Sequence, residues 1–345
     1  MSAQTITPTP LHEPAPYSRR IRVGQFLSGP AGRNIGLVIA LAIIMLAGSI
    51  TAGSRFVNLS NFFTIVNYAT VVGVLSIGAT FVIIAGGIDL SVGSLLGLVS
   101  VITTLPSLQL IVGSNWILMV IVALAVGVLA GLINGMVIAY GNVVAFMATL
   151  AMMVAARGLA EILSDRTTQI VTSPGFLTFF GGKAFGVPIL IWMFLLVAVF
   201  GWILLNRTTF GRRTIAIGGN REAARLAGIK VKRHMVYVYA FAGLTAGIAA
   251  IMMIGRTTVG TSTHGIGYEL DAIAAVVVGG TLLVGGRGTI VGTVLGTLIF
   301  ATLINVFTQN NLSTSVQALV KGIIIVVAVL LQQKFAASKK MKARA

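Results

Sequence analysis

Residues 116–140 read WILMVIVALAVGVLAGLINGMVIAY, twenty-five positions with no charge and a single amide, Asn134. About 20 such residues in a helix cross the roughly 30 Å hydrocarbon core of a bilayer. Gly127, Gly131 and Gly135 recur every fourth position, which places them on one helix face where a second backbone can approach closely. Working outward, comparable apolar runs cover 34–52, 62–86, 88–106, 143–163, 187–205, 234–256, 268–284, 289–308 and 314–333. Together these runs predict an all-α polytopic transmembrane helix bundle of about ten spans.

Composition demands the same environment. The 345 residues are 57% hydrophobic and 9% charged, whereas soluble domains carry about 25% charged residues. Exposed to water, such a surface would cost roughly 25 cal/mol per Å²; lipid has to cover it. The formal charge of +17 would suit a nucleic acid, but its placement excludes that partner. Four arginines (Arg19, Arg20, Arg22, Arg33) precede the first span, eight Lys/Arg lie from Arg207 to Arg233, and five lie from Lys334 to Arg344. Basic residues gathered between spans mark cytoplasmic loops. Six expected spans separate the first basic segment from the second and four separate the second from the third, so all three fall on the cytoplasmic side and 164–186 on the other. The expected organisation is a disordered cytoplasmic N-tail at 1–33, a transmembrane domain at 34–333 containing a cytoplasmic loop at 207–233, and a basic cytoplasmic C-tail at 334–345. The apolar run after the tail is too long for a signal-peptide core, which predicts an uncleaved first helix.

Glycine is the other abundant residue, at 41 positions. Besides the 127/131/135 ladder, Gly243 and Gly247 form a second and Gly288, Gly292 and Gly296 a third, all read as bundle packing. Two glycine-rich breaks look alike: Gly86-Gly87-Ile88-Asp89-Leu90-Ser91-Val92-Gly93-Ser94, and Gly279-Gly280 followed by Gly285-Gly286-Arg287-Gly288. They predict broken helices and an internal repeat of the kind that transporter folds contain.

Only seven carboxylates occur: Glu13, Asp89, Glu161, Asp165, Glu222, Glu269 and Asp271. At membrane depth each needs a partner, a cap or water, so each is a candidate site. Asp89 follows Gly86-Gly87 and can cap the next helix; it either caps alone or also lines a solute path, with Ser91 and Asn134 as companion path residues. Glu269 and Asp271 open the eighth span from the outer side, where a helix dipole favours acids; they are candidates for an outer gate or a partner contact. Two residues apart, they do not share a helix face. Arg157 and Glu161 are four apart and read as an ion pair, and Lys321 reads as a snorkelling lysine. His12, His234 and His264 are isolated, and cysteine is absent, so no metal site and no catalytic set is expected. A GxxxxGK[ST] phosphate loop is also missing. ATP chemistry, where the function needs it, belongs to a partner.

The segment from Asn206 to Ile229 carries more than a basic loop requires. Glu222 to Ala227 is helix-forming and Gly228 closes it; Ala223 and Ala224 are expected to offer a smooth face for another protein. Glu222, Ala223, Ala224 and Gly228 match the Glu-Ala-Ala-x-x-x-Gly coupling loop of permeases in ATP-binding-cassette (ABC) importers. Thr208 to Arg212 and Ile217 to Asn220 resemble the branch serving ribose, xylose, arabinose and galactose. So do the segments at 86–93, 156–160 and 267–280. Departures are local: Ala145 and Ala151 stand where the family often has Pro and Gly, and Ser262 where Pro is common.

The resemblance, which covers about residues 60–332, implies the membrane-spanning subunit of a monosaccharide importer in the bacterial inner membrane. It further implies an ABC ATPase subunit carrying ATP and Mg, a periplasmic sugar-binding protein and a second permease chain, with a homodimer as the simplest pairing. Gly211, Arg212, Asn220, Glu222, Ala223, Ala224 and Gly228 are then the residues expected to couple to the ATPase. Alternatives are a branched-chain amino-acid permease of the same machinery, a proton-coupled secondary carrier using Asp89 or Glu269, and, last, a membrane enzyme.

Overall fold

A computed structural model describes residues 30–113, 115–324, 326, 327 and 330. The chain enters through α1 (Pro30–Ala52) and a short 3₁₀ turn (Gly53–Arg55), then runs through α2 (Leu59–Ile84), α3 (Val92–Thr104), α4 (Pro106–Val112), α5 (Trp116–Ala139) and α6 (Ala145–Ser164). A connecting stretch holds β1 (Gln169–Ile170), α7 (Pro174–Phe180), β2 (Lys183–Ala184) and β3 (Val187–Pro188). Then come α8 (Ile189–Arg207), α9 (Thr209–Gly219), α10 (Arg221–Leu226), α11 (Val231–Thr257), β4 (Val259–Gly260), α12 (Tyr268–Val278), α13 (Ile290–Gln309) and α14 (Thr314–Ile324). The strands form two antiparallel ribbons of two residues per strand, β1 with β4 and β2 with β3.

Seven of these helices are long and apolar enough to cross a membrane, and α3 with α4 makes an eighth if the 57° bend between them lies within one span. The chain is a multi-pass membrane protein. The bend falls at Leu105-Pro106, where proline supplies no N–H and restricts the residue before it. The expected span at 268–284 proves to be an 11-residue helix, about 16 Å long at 1.5 Å per residue and half a bilayer core; Gly279-Gly280 ends it. The expected span at 314–333 is a helix from Thr314 to Ile324, and 331–333 lie outside the described residues. So do 1–29 of the expected N-tail and all of 334–345, whereas 30–33 belong to α1 rather than to a tail.

Helices α2 and α11 form the centre: 83% of the apolar window of each is buried, against 11% for α1. Glycine explains how α11 gets there. A Cβ on Gly127 would strike the Gly243 carbonyl, one on Gly131 the Tyr239 carbonyl, and one on Gly247 would sit 2.7 Å from the Ala123 carbonyl. The 127/131/135 and 243/247 ladders therefore interlock α5 and α11 backbone to backbone, the contact that small residues provide in lipid. Of the third ladder, Gly292 and Gly296 bring α13 onto the Gly279 and Ala275 carbonyls of the α12 segment, whereas Gly288 lies in the break before the helix.

The two breaks share one geometry. Gly86 (φ +82°) and Gly280 (φ +87°) are left-handed, and each stops its helix with the same pair of bonds. Gly86 N donates to Ile83 O and Gly87 N to Val82 O; Gly280 N donates to Val277 O and Thr281 N to Val276 O. This is the double C-cap that glycine favours. The register of the likeness is thus Gly86 with Gly280, one residue on from the sequence alignment of Gly86-Gly87 with Gly279-Gly280.

Candidate coupling and translocation sites

The segment after α8 folds into two short helices, each with its own side-chain cap. Thr208 Oγ1 accepts from Gly211 N (3.3 Å) at the start of α9, and Asn220 Oδ1 accepts from Ala223 N (2.9 Å) at the start of α10. Gly228 (φ +82°) closes α10: its N–H donates to Arg225 O and that of Ile229 to Ala224 O. Gly211 is packed on the Leu205 carbonyl with no room for a Cβ. Arg212 is exposed. Glu222 and Arg225 pair on the surface at 2.5 Å, and this hydrogen bond holds the Glu222 carboxyl below its ordinary value. The expected Ala223–Ala224 face divides: Ala224 is buried against the bundle while Ala223 is exposed. A helix turns 100° per residue, so adjacent alanines cannot both face outward. Ala223, Leu226 and Ala227, at i, i+3 and i+4, form the exposed apolar side instead, with Leu226 75% exposed.

Helix α9 ends on both glycine breaks at once. Gly286 N donates to Ile84 O (2.8 Å), tying the second break to the end of α2. A Cβ on Gly218 would strike the Ile84 carbonyl and come within 2.6 Å of Gly286 N; one on Gly285 would lie 3.1 Å from Gly86 Cα. Three pieces of backbone, 84–86, 218–219 and 285–286, thus touch without side chains between them. Farther along α9, Thr214 Oγ1 meets His234 Nε2 at 2.8 Å, and the Phe210 ring packs on His234 (4.7 Å) and Phe81 (5.9 Å).

Beyond the first break the structure brings Asp89, Ser91 and Asn134 together. Asp89 Oδ1 accepts from Ser91 N (2.8 Å) and Ser91 Oγ (2.6 Å), and Ser91 Oγ accepts from Asn134 Nδ2 (2.9 Å). All three are buried. The carboxylate serves the residue ahead of α3 rather than an N–H within its first turn, so it folds the turn and α5 fastens it. Thr149 on α6 fastens the other side, accepting from Leu90 N and donating to Ile88 O. Tyr239 escaped the sequence reading: its buried hydroxyl has no hydrogen-bond partner among the described residues and abuts Gly87.

At the opposite end, Glu269 and Asp271 part company. Asp271 Oδ1 takes the ammonium of Lys321 at 2.8 Å, so Lys321 is paired across 50 residues rather than snorkelling alone. The Glu269 carboxylate lies where a Cβ on Gly93 would fall, and a Cβ on Gly97 would sit 2.8 Å from both Arg157 Nη1 and His264 O. Arg157 donates to His264 O (3.0 Å), and His264 Nδ1 meets Ser100 Oγ (2.8 Å). Glu161 pairs with Arg166 (3.1 Å); the expected Arg157–Glu161 pair does not form because the 258–267 loop draws Arg157 inward. Burial first, then the charges of Arg256 and Arg157, press the His264 imidazole down to about 4. This cluster was not singled out in the sequence, although Gly93-x-x-x-Gly97 has the spacing of a notch that polar groups can fill.

Among known proteins, residues 61–329 match the family described as branched-chain amino acid transport system / permease component. The ribose import permease protein RbsC of Bacillus subtilis (strain 168) is 41% identical over 304 residues, covering 88% of this chain and 93% of its own. Its counterpart in Escherichia coli (strain K12) is 39% identical over 87% and 92%. The L-arabinose transport system permease protein AraH of the same organism is 36% identical over 88% and 92%. No solved structure matches the chain. With a family model spanning most of its length and relatives of this identity, the chain belongs to the ABC-importer permeases, in the branch of the monosaccharide permeases.

Proposed function

We propose that this chain forms the membrane path of a monosaccharide importer and that the stretch from Gly211 to Ile229 is the part a separate ABC ATPase grips. The observation that carries this reading is the glycine junction: a push on α10 reaches α9, and the end of α9 rests on the two breaks that open α3 and α13. Backbone packed on backbone transmits displacement with little slack. Asp89, Ser91 and Asn134, with the Tyr239 hydroxyl, supply hydroxyl-recognising groups beside the first break. The basic 207–233 segment sets the coupling end and both termini in the cytoplasm of the bacterial inner membrane. Glu269 and its neighbours then face the periplasm, where a sugar-binding protein delivers solute. A second copy of the chain completes the pathway.

The test is uptake of labelled ribose, arabinose and galactose by proteoliposomes containing the permease, its ATPase and its binding protein. Ala223→Asp, which places a charge on the exposed apolar side of α10, should stop ATP-driven uptake and release the ATPase on co-purification. Asp89→Asn and Glu269→Gln should leave uptake running, since neither step requires a transported proton. Uptake that continues with the ATPase omitted would overturn the reading.

A further inference from the structure

On the side of the coupling segment away from the glycine junction lies a cavity of about 510 Å³. Arg213 of α9, Lys230 before α11 and Arg233 in its first turn line it, with Phe210, His234 and Tyr237 and the Gly228–Ile229 end of the coupling stretch among the rest of the wall. No carboxylate lines it. The ion pairs among the described residues, Glu161–Arg166, Glu222–Arg225 and Asp271–Lys321, involve none of the three cations. Arg233 is oriented by its bond to the Tyr237 hydroxyl (2.6 Å). The three cations are exposed, and their convergence on one concavity without a carboxylate favours an anionic occupant able to accept charge-assisted hydrogen bonds from them.

Position identifies which anion. Helix α8 presents Leu196, Val199 and Ile203 outward, an apolar side that lipid covers. It ends with Arg207 stacked over Trp202 (5.5 Å), while Arg233 stacks over half-exposed Tyr237 (5.4 Å). Aromatic rings flanked by basic residues mark the headgroup level of a bilayer, and the cavity opens within two residues of Arg207. We infer that it binds the phosphodiester headgroup of an anionic phospholipid whose acyl chains lie along α8. Such a headgroup bridges the start of α9 to the start of α11, so it braces the coupling segment against the bundle. The inference requires only that the chain spans a membrane and stands apart from the identity of the solute.

Native mass spectrometry of the purified chain, with phosphatidylglycerol and phosphatidylcholine of matched acyl chains as probes, tests it. One phosphatidylglycerol should be retained selectively, and the double variant Arg213→Gln/Lys230→Gln should weaken it by roughly 25-fold, each basic side chain counting for about fivefold at a membrane surface. Arg213→Lys/Lys230→Arg, which keeps the charge, should hold the lipid and shows that the site rather than the fold was altered. Arg221→Gln/Lys232→Gln removes equal charge from the opposite flank of the coupling segment and should leave affinity within about threefold. An equal loss in that control would reduce the effect to diffuse attraction and overturn the proposal. Displacement by millimolar inorganic phosphate would make it a small-anion site, and stoichiometric expulsion of lipid by the ATPase would make it a protein interface; either result overturns it.

Discussion

The two ends of the bundle are held together by opposite means. At the end proposed to couple to the ATPase, 84–86, 218–219 and 285–286 meet through bare backbone, with glycine at each point of closest approach and no ion pair between them. At the other end, contact runs through long polar side chains: Arg157 to the His264 carbonyl, His264 to Ser100, Lys321 to Asp271. Backbone contacts cannot be exchanged without moving whole helices, whereas side-chain hydrogen bonds can be broken one at a time. The first arrangement suits a part that transmits force, the second a part that opens and recloses.

The sharpest way to break this comparison is to fill the junction. Gly218→Val places atoms on the Ile84 carbonyl and against Gly286 N, neither of which can rotate aside. Overpacking of about 3 kcal/mol borne by the coupled state corresponds to roughly 100-fold in rate. ATP-driven uptake should fall by that factor while the chain still inserts, as judged by its yield and gel-filtration profile. A variant that transports normally would show that the junction carries no force.

The opposite end should respond less and in a different observable. Arg157→Gln removes a charged hydrogen bond from the His264 carbonyl, a loss of about 1.5–3 kcal/mol. The chain contains no cysteine, so Ser262→Cys, at a buried position, introduces a single thiol. A membrane-impermeant maleimide should label it about tenfold faster or more in the Arg157→Gln background, whereas Thr263→Cys, already exposed, should label equally in both. Equal rates at Ser262→Cys would mean that Arg157 does not hold this loop closed.

The two ends also differed in how much of them could be read beforehand. The all-α, polytopic character, the interlocked glycine ladders and the short helix before Gly228 follow from spacing, because fourfold repeats and capping residues act locally. The glycine junction does not: Gly218-Gly219 looks like a loop until the fold sets it on Ile84 and Gly286. Lys321 and Asp271 are 50 residues apart, beyond the reach of local pairing rules, which offer Lys321 no partner, and Arg157 has a carboxylate four residues on that it does not use, so the same rules give it the wrong one. Polarity singles out Asp89, Ser91 and Asn134 as one group in the sequence, but only the packing of α5 against the first break joins them into one hydrogen-bonded chain. The half-length of α12 was hidden because Thr281 to Val284 are as apolar on average as a span, although Gly280 is the residue that turns the chain.

Acid should loosen the latch by a smaller amount. His264 is kept neutral, at about 4, against 6.5 for the free side chain. The unfolded chain therefore binds a proton between those values that the folded chain refuses. Stability is at its full value above 6.5, declines as pH falls, and reaches its floor near 4, a change of about 2–3 kcal/mol after allowing for the part of the ring that solvent screens. The maleimide labelling rate of Ser262→Cys, taken at each pH as a ratio to that of the exposed Thr263→Cys so that the thiolate fraction cancels, should be higher at pH 5 than at pH 8. His264→Gln should flatten that response.

The smallest effect belongs to the exposed pair on α10. The Arg225 hydrogen bond holds the Glu222 carboxyl below 4.5, so the pair is intact above that value and is lost only as pH falls through the lowered one. Both groups are open to water, where such pairs contribute little to folding. Glu222→Gln should therefore leave thermal stability unchanged at pH 7, since Asn220 and Gly228 still cap the helix. If it nevertheless weakens retention of the ATPase, the carboxylate is read by the partner and not by the fold, and the coupling end would then combine a rigid backbone floor with one side chain kept free for recognition.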